Sequence, residues 1–154
     1  MLLSKTPIFL SFVELAGGTT QGVRTINLAK DVESQGAIGV VLNAPISNED
    51  LDAIAQVVDI PVVITVVSKE TDIAKRLNSG AAIINVAGGT DTPSIVRHIR
   101  SQFPNIPIIA SGGKTEESVL ETIEAEANAI TYTPPTIMEL LRERWKNTEI
   151  TIKY

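Results

Sequence analysis

The sequence predicts an α/β fold of six parallel βα units within one domain covering residues 1–154. Short apolar segments alternate with amphipathic helical segments, and this alternation is typical of a parallel sheet with right-handed crossovers. The apolar segments are nearly continuous, as at residues 61–67, which indicates strands covered on both faces. Pro7, Pro61 and Pro107 each open such a segment at a spacing of about 50 residues, which predicts three copies of a βαβα unit.

Three such units leave two ways to arrange the sheet. Four βαβα units close an eight-stranded barrel, so three units form either an incomplete TIM-barrel-like arrangement or an open, doubly wound three-layer sheet. The 154 residues fall short of the roughly 250 that a complete barrel of this kind uses. We expect the incomplete barrel, with the three-layer sheet as the alternative. Its two open edges need a partner chain or a C-terminal strand as cover, so we also expect a homo-oligomer, a dimer or larger.

The first half of the chain contains three predicted strands and three predicted helices. The strands cover residues 7–14, 38–42 and 61–67. The first helix, over residues 21–35, ends at Gly36, and the second begins at Ser47, an N-cap residue with Asp50 three positions on. The third helix is short and ends at Gly80. The helix residues expected to face the core are Val23, Ile26, Ala29, Val32, Leu51, Ile54, Ala55, Val58, Ile73, Ala74 and Leu77.

The second half repeats this order of elements. Its strands cover residues 82–86, residues 107–111 and residues 129–133. Thr92 before Pro93 is a cap followed by a first-turn proline, and Thr136 with Glu139 is a capping box for the last helix. The helix residues expected to face the core are Ile95, Val96, Ile99, Phe103, Val119, Leu120, Ile123, Ile137, Leu140, Leu141 and Trp145. Residues 149–154 alternate apolar with polar, as an edge or exchanged strand would.

The composition argues against several classes of protein. With 13 Lys and Arg against 18 Asp and Glu, the net charge of −5 argues against nucleic acid or an anionic membrane as the main partner. Cysteine is absent, which excludes a disulfide framework and a thiolate metal site. No apolar run approaches the ~20 residues that span a bilayer, and the first residues lack the pattern of a signal peptide. We therefore expect a cytoplasmic protein.

Ligands of parallel α/β folds bind at the carboxyl ends of the strands, so the candidate site residues are those at or just after these ends. The best signal is the run Ser111, Gly112, Gly113 and Lys114. Adjacent glycines let the backbone approach an anion closely, and a lysine beside a helix N-terminus adds a positive charge. A glycine turn needed only for its backbone conformation is the alternative.

Five further candidate ligand-binding residues lie at or just after the carboxyl ends of other strands. They are Asn43, Asn85, Gly88, Gly89 and Tyr132. The two asparagines can hydrogen-bond a ligand or can hold their own turns, and the double glycine repeats the pattern at Gly112 and Gly113.

Glu14 is the candidate catalytic residue because it is a carboxylate at a strand end. Burial near a ligand carbonyl would raise its pKa and let it act as a general acid or base, and a solvated loop position is the alternative. The single histidine, His98, falls in a helix between Arg97 and Arg100, so no catalytic triad can be built. Without cysteine or clustered carboxylates we expect no metal and no cofactor.

Three stretches resemble the phosphate-binding βα-barrel superfamily, which includes thiamine-phosphate synthase and N-acetylmannosamine-6-phosphate epimerase. They are residues 80–86, residues 107–113 and residues 127–132. The resemblance implies a TIM-barrel-type fold whose phosphate site would use Gly112 and Gly113. The second phosphate turn of that group has no match, because Pro134 and Pro135 stand after the next strand and offer no N–H. The chain is also similar to short bacterial proteins loosely labelled hydrolase.

The expected function is binding of a small anionic metabolite, phosphorylated or carboxylated, at the carboxyl ends of the strands. If the protein is an enzyme, we expect a metal-independent hydrolase, isomerase or lyase. A non-catalytic ligand-sensing or assembly module is the alternative, because acid and base residues are scarce at the strand ends.

Overall fold

The computed structural model describes residues 12–15, 23–43, 45–113, 115–131, 136–138 and 141–142. Strands and helices alternate along these ranges. They are β1 (Phe12–Leu15), α1 (Val23–Ser34), β2 (Gly39–Leu42), α2 (Asn48–Ala55), β3 (Val62–Val66), α3 (Ile73–Asn78), β4 (Ile83–Val86), α4 (Thr92–Gln102), β5 (Ile108–Ser111), α5 (Glu116–Glu124) and β6 (Ala129–Thr131). A short 3₁₀ helix, Gly89–Asp91, precedes α4. No helix within the described ranges is long and apolar enough to cross a membrane.

The six strands form one parallel sheet in the order β1-β2-β3-β4-β5-β6. Each crossover therefore leads to the adjacent strand. A doubly wound sheet instead reverses its strand order partway across, so the predicted three-layer alternative is wrong and the incomplete TIM-barrel-like fold is confirmed. β1 and β6 are the two edges of the sheet in the part of the chain that the structure describes.

The hydrophobic core lies between the helices and one face of the sheet, here called the outer face. Strand side chains alternate between the two faces, and most of those described on the outer face are buried. The buried ones are Leu15, Val40, Leu42, Val62, Ile64, Val66, Ile84, Val86, Ile108 and Ala110. The helices contribute Leu51, Ile54, Ile95, Val96 and Ile99, each at most 1% exposed. The opposite face, here called the inner face, is left for the site described below.

Helix caps follow the sequence signals with one difference. The Ser47 hydroxyl accepts a hydrogen bond from the Asp50 N–H at 3.0 Å, as the N-cap pattern predicts. Thr92 is not the cap of α4, because the helix begins at Thr92 itself and Asp91 occupies the N-cap position. The Thr92 hydroxyl instead accepts the Gly88 N–H at 3.0 Å, which ties the turn after β4 to the helix.

The predicted apolar faces of the last helices and of α3 are partly wrong. Leu120 and Ile123 on α5 are each 51% exposed, and Ala74 on α3 is also exposed. Ile137 and Leu141, which belong to helical residues after β6, are 76% and 44% exposed. Helical periodicity identifies apolar positions but not their neighbours, and the packing of α5 on α4, β5 and β6 leaves Leu120 and Ile123 about half exposed. The predicted strand at residues 149–154 lies outside the described residues.

Arg100 joins the loops before β5 and β6 at the amino ends of the strands. Its guanidinium donates to the carbonyl oxygens of Pro104, Ile106 and Glu126 at 2.8, 2.8 and 2.9 Å, and to Oδ1 of Asn128 at 2.9 Å. A lysine cannot reproduce this planar, multiple-donor arrangement. We expect Arg100→Lys to lower the free energy of unfolding by about 2 kcal/mol, measured by urea denaturation.

The matched control is Arg97→Lys, one helical turn earlier on α4. The Arg97 side chain is exposed and makes no hydrogen bond with any residue that the structure describes. Its replacement is therefore expected to leave the stability unchanged within about 0.5 kcal/mol. Equal losses for the two variants would contradict a bracing role for Arg100.

Candidate functional site

A cavity of about 380 Å³ lies on the inner face, toward the carboxyl ends of the strands. Its lining comes from β2, β3, β4, β5 and β6 and from the residues that directly follow them. The lining residues are Val41, Asn43, Val63, Thr65, Asn85, Ala87, Ile109, Ser111 and Thr131. The volume is in the range of small-molecule sites, and the location is where parallel α/β folds bind ligands.

Strand alternation explains why these side chains meet. The inner-face residues Val41, Val63 and Ile109 form the apolar part of the cavity, and the next inner-face position of each strand is polar. These polar positions are Asn43, Thr65 and Ser111. Because the strands are parallel, their carboxyl ends lie along one rim, and residues far apart in sequence become neighbours.

Asn43, Thr65 and Asn85 form a chain of hydrogen bonds across three adjacent strands. The Asn85 Nδ2 group donates to the Thr65 hydroxyl at 3.1 Å, and that hydroxyl donates to Asn43 Oδ1 at 2.8 Å. A hydroxyl has one hydrogen to donate, so the Thr65 bond to Asn43 leaves its oxygen to accept from Asn85. The three side chains therefore act as one unit, in which Thr65 holds both amides.

The sequence predicts both asparagines as ligand-binding residues, and it predicts Thr65 and Thr131 only as polar residues at strand ends, with no role of their own. In the sequence, Thr65 is distinguished only by being a hydroxyl residue within the otherwise apolar residues 61–67. Its hydrogen bonds join residues 20 and 22 positions apart, which no local pattern indicates. Thr131 enters the lining because β6 ends there beside Ser111.

The described lining is neutral. It consists of apolar, amide and hydroxyl side chains, and none of these nine residues is ionisable. Such a surface can orient a small polar ligand by hydrogen bonds and can pack against its apolar part. Proton transfer would need a group beyond these nine.

The turn after β5 is tightly packed around Gly112. Its N–H donates to the Thr131 carbonyl oxygen at 3.0 Å, and its own carbonyl accepts from the Ser118 hydroxyl at 2.7 Å. A Cβ at this position would lie 2.6 Å from Ile130 Cγ2 and 3.0 Å from Val119 Cγ2. Glycine at 112 is thus required by the close approach of α5 and β6. An anion could accept a hydrogen bond from the Gly112 N–H only if the hydrogen bond between that N–H and the Thr131 carbonyl oxygen were broken.

Gly113 and the Gly88–Gly89 pair lie at the same rim. Ser118 occupies the space that a Cβ on Gly113 would need. Gly88 and Gly89 follow β4, and the preceding Ala87 lines the cavity. The two double-glycine turns therefore flank the cavity.

Three predicted site residues cannot be placed by their side chains. Lys114 and Tyr132 lie outside the described residues, as does the side chain of Glu14. The backbone of Glu14 belongs to β1 and is paired in register with Val41, which lines the cavity. The catalytic role of Glu14 stays a prediction.

The loop after β3 contains two charged residues. Lys69 and Glu70 follow β3 and are exposed, and neither lines the cavity. A hydrogen bond with the Ser68 side chain, one with its own backbone and the charge of Lys69 hold the pKa of Glu70 below its ordinary value. Over the described ranges, no three His, Asp or Glu side chains come together as a group that could hold a metal ion.

Several solved structures share this arrangement of strands and helices. A mandelate oxidase variant with an FMN adduct superposes with a TM-score of 0.62 over 80% of this chain and 48% of its own, at 18% identity. The 2,3-dimethylmalate lyase of the PEP mutase/isocitrate lyase superfamily gives 0.66 over 92% and 59%, at 12% identity. An aldolase gives 0.63 over 89% and 75%, at 20% identity.

These proteins are TIM-barrel-type enzymes, and the chain spans about half the length of the oxidases that it matches. At these identities the likeness shows a TIM-barrel-like fold and nothing finer. No protein-family model and no curated protein sequence matches the chain.

Proposed function

We propose that the protein binds a small phosphorylated or carboxylated metabolite in the inner-face cavity. The observation that carries the proposal is the cavity itself, at which Asn43, Thr65, Asn85 and Ser111 converge from four strands. An apolar wall with a few convergent polar groups is the usual composition of a metabolite site.

The start of α5 supports an anionic group on the ligand. Lys114 follows Ser111 closely in the chain, and α5 begins at Glu116. A helix N-terminus carries partial positive charge, and a lysine beside it adds a full one. Glu116 and Glu117 in the first turn offset part of this field, so the lysine carries most of the attraction.

Titration of the purified protein with a panel of small phosphates and carboxylates tests the binding. Native mass spectrometry of the protein as purified first shows whether a retained metabolite should join the panel. We expect Asn85→Ala to weaken binding about tenfold, because it removes a ligand-facing amide and the donor to Thr65. Asn105→Ala is the control, since Asn105 is exposed in the loop before β5, at the amino ends of the strands. A panel without a binder, or equal affinity of both variants, would contradict the proposal.

We propose further that Glu14 supplies the acid or base if the site is catalytic. The support is its position in β1, in register with Val41 of the cavity wall. Glu14→Gln is then expected to abolish turnover of a bound panel member while leaving its affinity within a few-fold. Binding without any turnover by the unmodified protein would instead support the ligand-sensing module, which the neutral lining favours.

A further inference from the structure

The polar side chains of the cavity fall into two sets at different heights on the sheet. Strand register and hydrogen bonds place Asn43 beside Thr65 and Thr65 beside Asn85, so these three residues form one row across β2, β3 and β4. We call them the amide row. Ser111 and Thr131 are paired in register at the carboxyl ends of β5 and β6. We call these two residues the rim pair.

Apolar side chains separate the amide row from the rim pair. Asn85 is paired with Ile109 of β5, and Ser111 follows Ile109 by two residues on the same face of the sheet. A rise of about 3.3 Å per residue and a spacing of about 4.8 Å between strands put the positions of Asn85 and Ser111 about 8 Å apart. A ligand that reaches both sets therefore has two polar ends joined by an apolar part that passes over Ile109.

The amide row offers a hydrogen-bond donor and an acceptor side by side. Nδ2 of Asn85 has two hydrogens, and one of them is donated to Thr65. The other hydrogen and Oδ1 of Asn85 make no hydrogen bond with any residue that the structure describes. Asn85 is half-buried and lines the cavity, so a bound ligand can pair with both. A carboxamide complements this pair, because it also carries one acceptor and one donor on the same edge.

A carboxylate at the amide row would be poorly accommodated. It has acceptors only, so it offers no hydrogen to Oδ1 of Asn85. The row beneath consists of Val41, Val63 and Ile83, which are paired in register, and none of the nine residues that line the cavity is ionisable. A charge in this part of the cavity would lose hydration without gaining a counter-charge. The amide row therefore selects an uncharged group.

We propose that the cavity is specific for small amides with one anionic end, a carboxylate or phosphate near the rim pair and a carboxamide at the amide row. The function proposed above puts the anionic end near the start of α5, and the amide specificity rests on that function. The rim pair is the nearer of the two sets to this helix. Ser111 directly precedes Gly112, whose carbonyl oxygen accepts a hydrogen bond from Ser118 in the first turn of α5.

Isosteric ligand pairs test the specificity, because a carboxamide and a carboxylate differ little in shape. One pair is the monoamide of glutaric acid with glutarate, and the other is 4-phosphonobutanamide with 4-phosphonobutanoate. Titration calorimetry of the unmodified protein at neutral pH, where both carboxylates are ionised, gives the four affinities. We expect the amide to bind at least about tenfold more tightly than its acid partner in at least one pair. The absence of this preference from both pairs would overturn the proposal.

Two variants assign the preference to the amide row. Asn85→Ala removes the donor and the acceptor, so we expect the ratio of amide affinity to acid affinity to fall below about threefold. Ser111→Ala is the matched control. It removes a hydroxyl of the rim pair, which should weaken both members of a ligand pair alike and leave the ratio within about twofold. A ratio that Asn85→Ala leaves unchanged would also overturn the proposal.

The same titrations separate a failure of this specificity from a failure of the proposed function. Binding of other small phosphates or carboxylates, without a preference for the amides, would leave the proposed function standing and remove only the amide specificity. A complete panel without a binder would remove both.

Discussion

Replacing Ile108 with alanine is expected to lower the free energy of unfolding by about 3 kcal/mol, whereas the same replacement at the next residue, Ile109, should cost about 1 kcal/mol. Ile108 is fully buried on the outer face and belongs to the hydrophobic core. Its truncation leaves a void that the packed helices can close only in part. Ile109 is half-buried on the inner face and lines the cavity, where solvent can take the place of the lost atoms.

Urea denaturation monitored by circular dichroism measures the loss of unfolding free energy in each variant. An unchanged slope of this free energy against urea concentration shows that the two variants unfold alike. The two replacements are matched in residue type, strand and position along the chain. The difference between their losses of unfolding free energy therefore reports only which face of the sheet the side chain occupies. Equal losses would mean that the inner face is packed as tightly as the outer one. The cavity would then not be an open site.

Gly80→Ala is expected to cost about 3 kcal/mol for two separate reasons. Gly80 has φ +100°, a backbone conformation that residues with a side chain rarely adopt. An added Cβ would also clash with Cβ of Ala55, at the end of α2. The turn between α3 and β4 therefore has no room for a methyl group unless α2 moves away from the sheet.

Gly36→Ala separates the cost of the positive φ from the cost of the steric clash. Gly36 has φ +87°, but a Cβ there would meet no atom within 4 Å. We expect this variant to lose about 1 kcal/mol, the conformational part alone. Thermal and urea denaturation of both variants give the comparison. A Gly80→Ala variant no less stable than Gly36→Ala would show that α2 does not pack closely on this turn.

The order of the elements and the location of the site could be predicted from local patterns. Strand and helix periods differ, so alternating segments identify six βα units without any knowledge of their contacts. Asn43, Asn85 and Ser111 could be assigned to one rim because parallel strands end on the same side of a sheet. The Ser47 cap could be predicted because its partner is three residues away.

The contacts across the sheet could not be predicted in this way. Thr65 holds two asparagines on neighbouring strands, and Gly112 is required by side chains of β6 and α5. Leu120 and Ile123 have the spacing of buried residues, yet each is 51% exposed.

Periodicity is a property of a single segment, so the residues alone establish which segments are strands, which are helices and which ends carry polar groups. The choice between an incomplete barrel and an open three-layer sheet depends on which strand lies beside which, and both arrangements satisfy the same local pattern. Only the assembled sheet makes that choice, because burial and hydrogen bonding between strands act over tens of residues and are absent from any one segment.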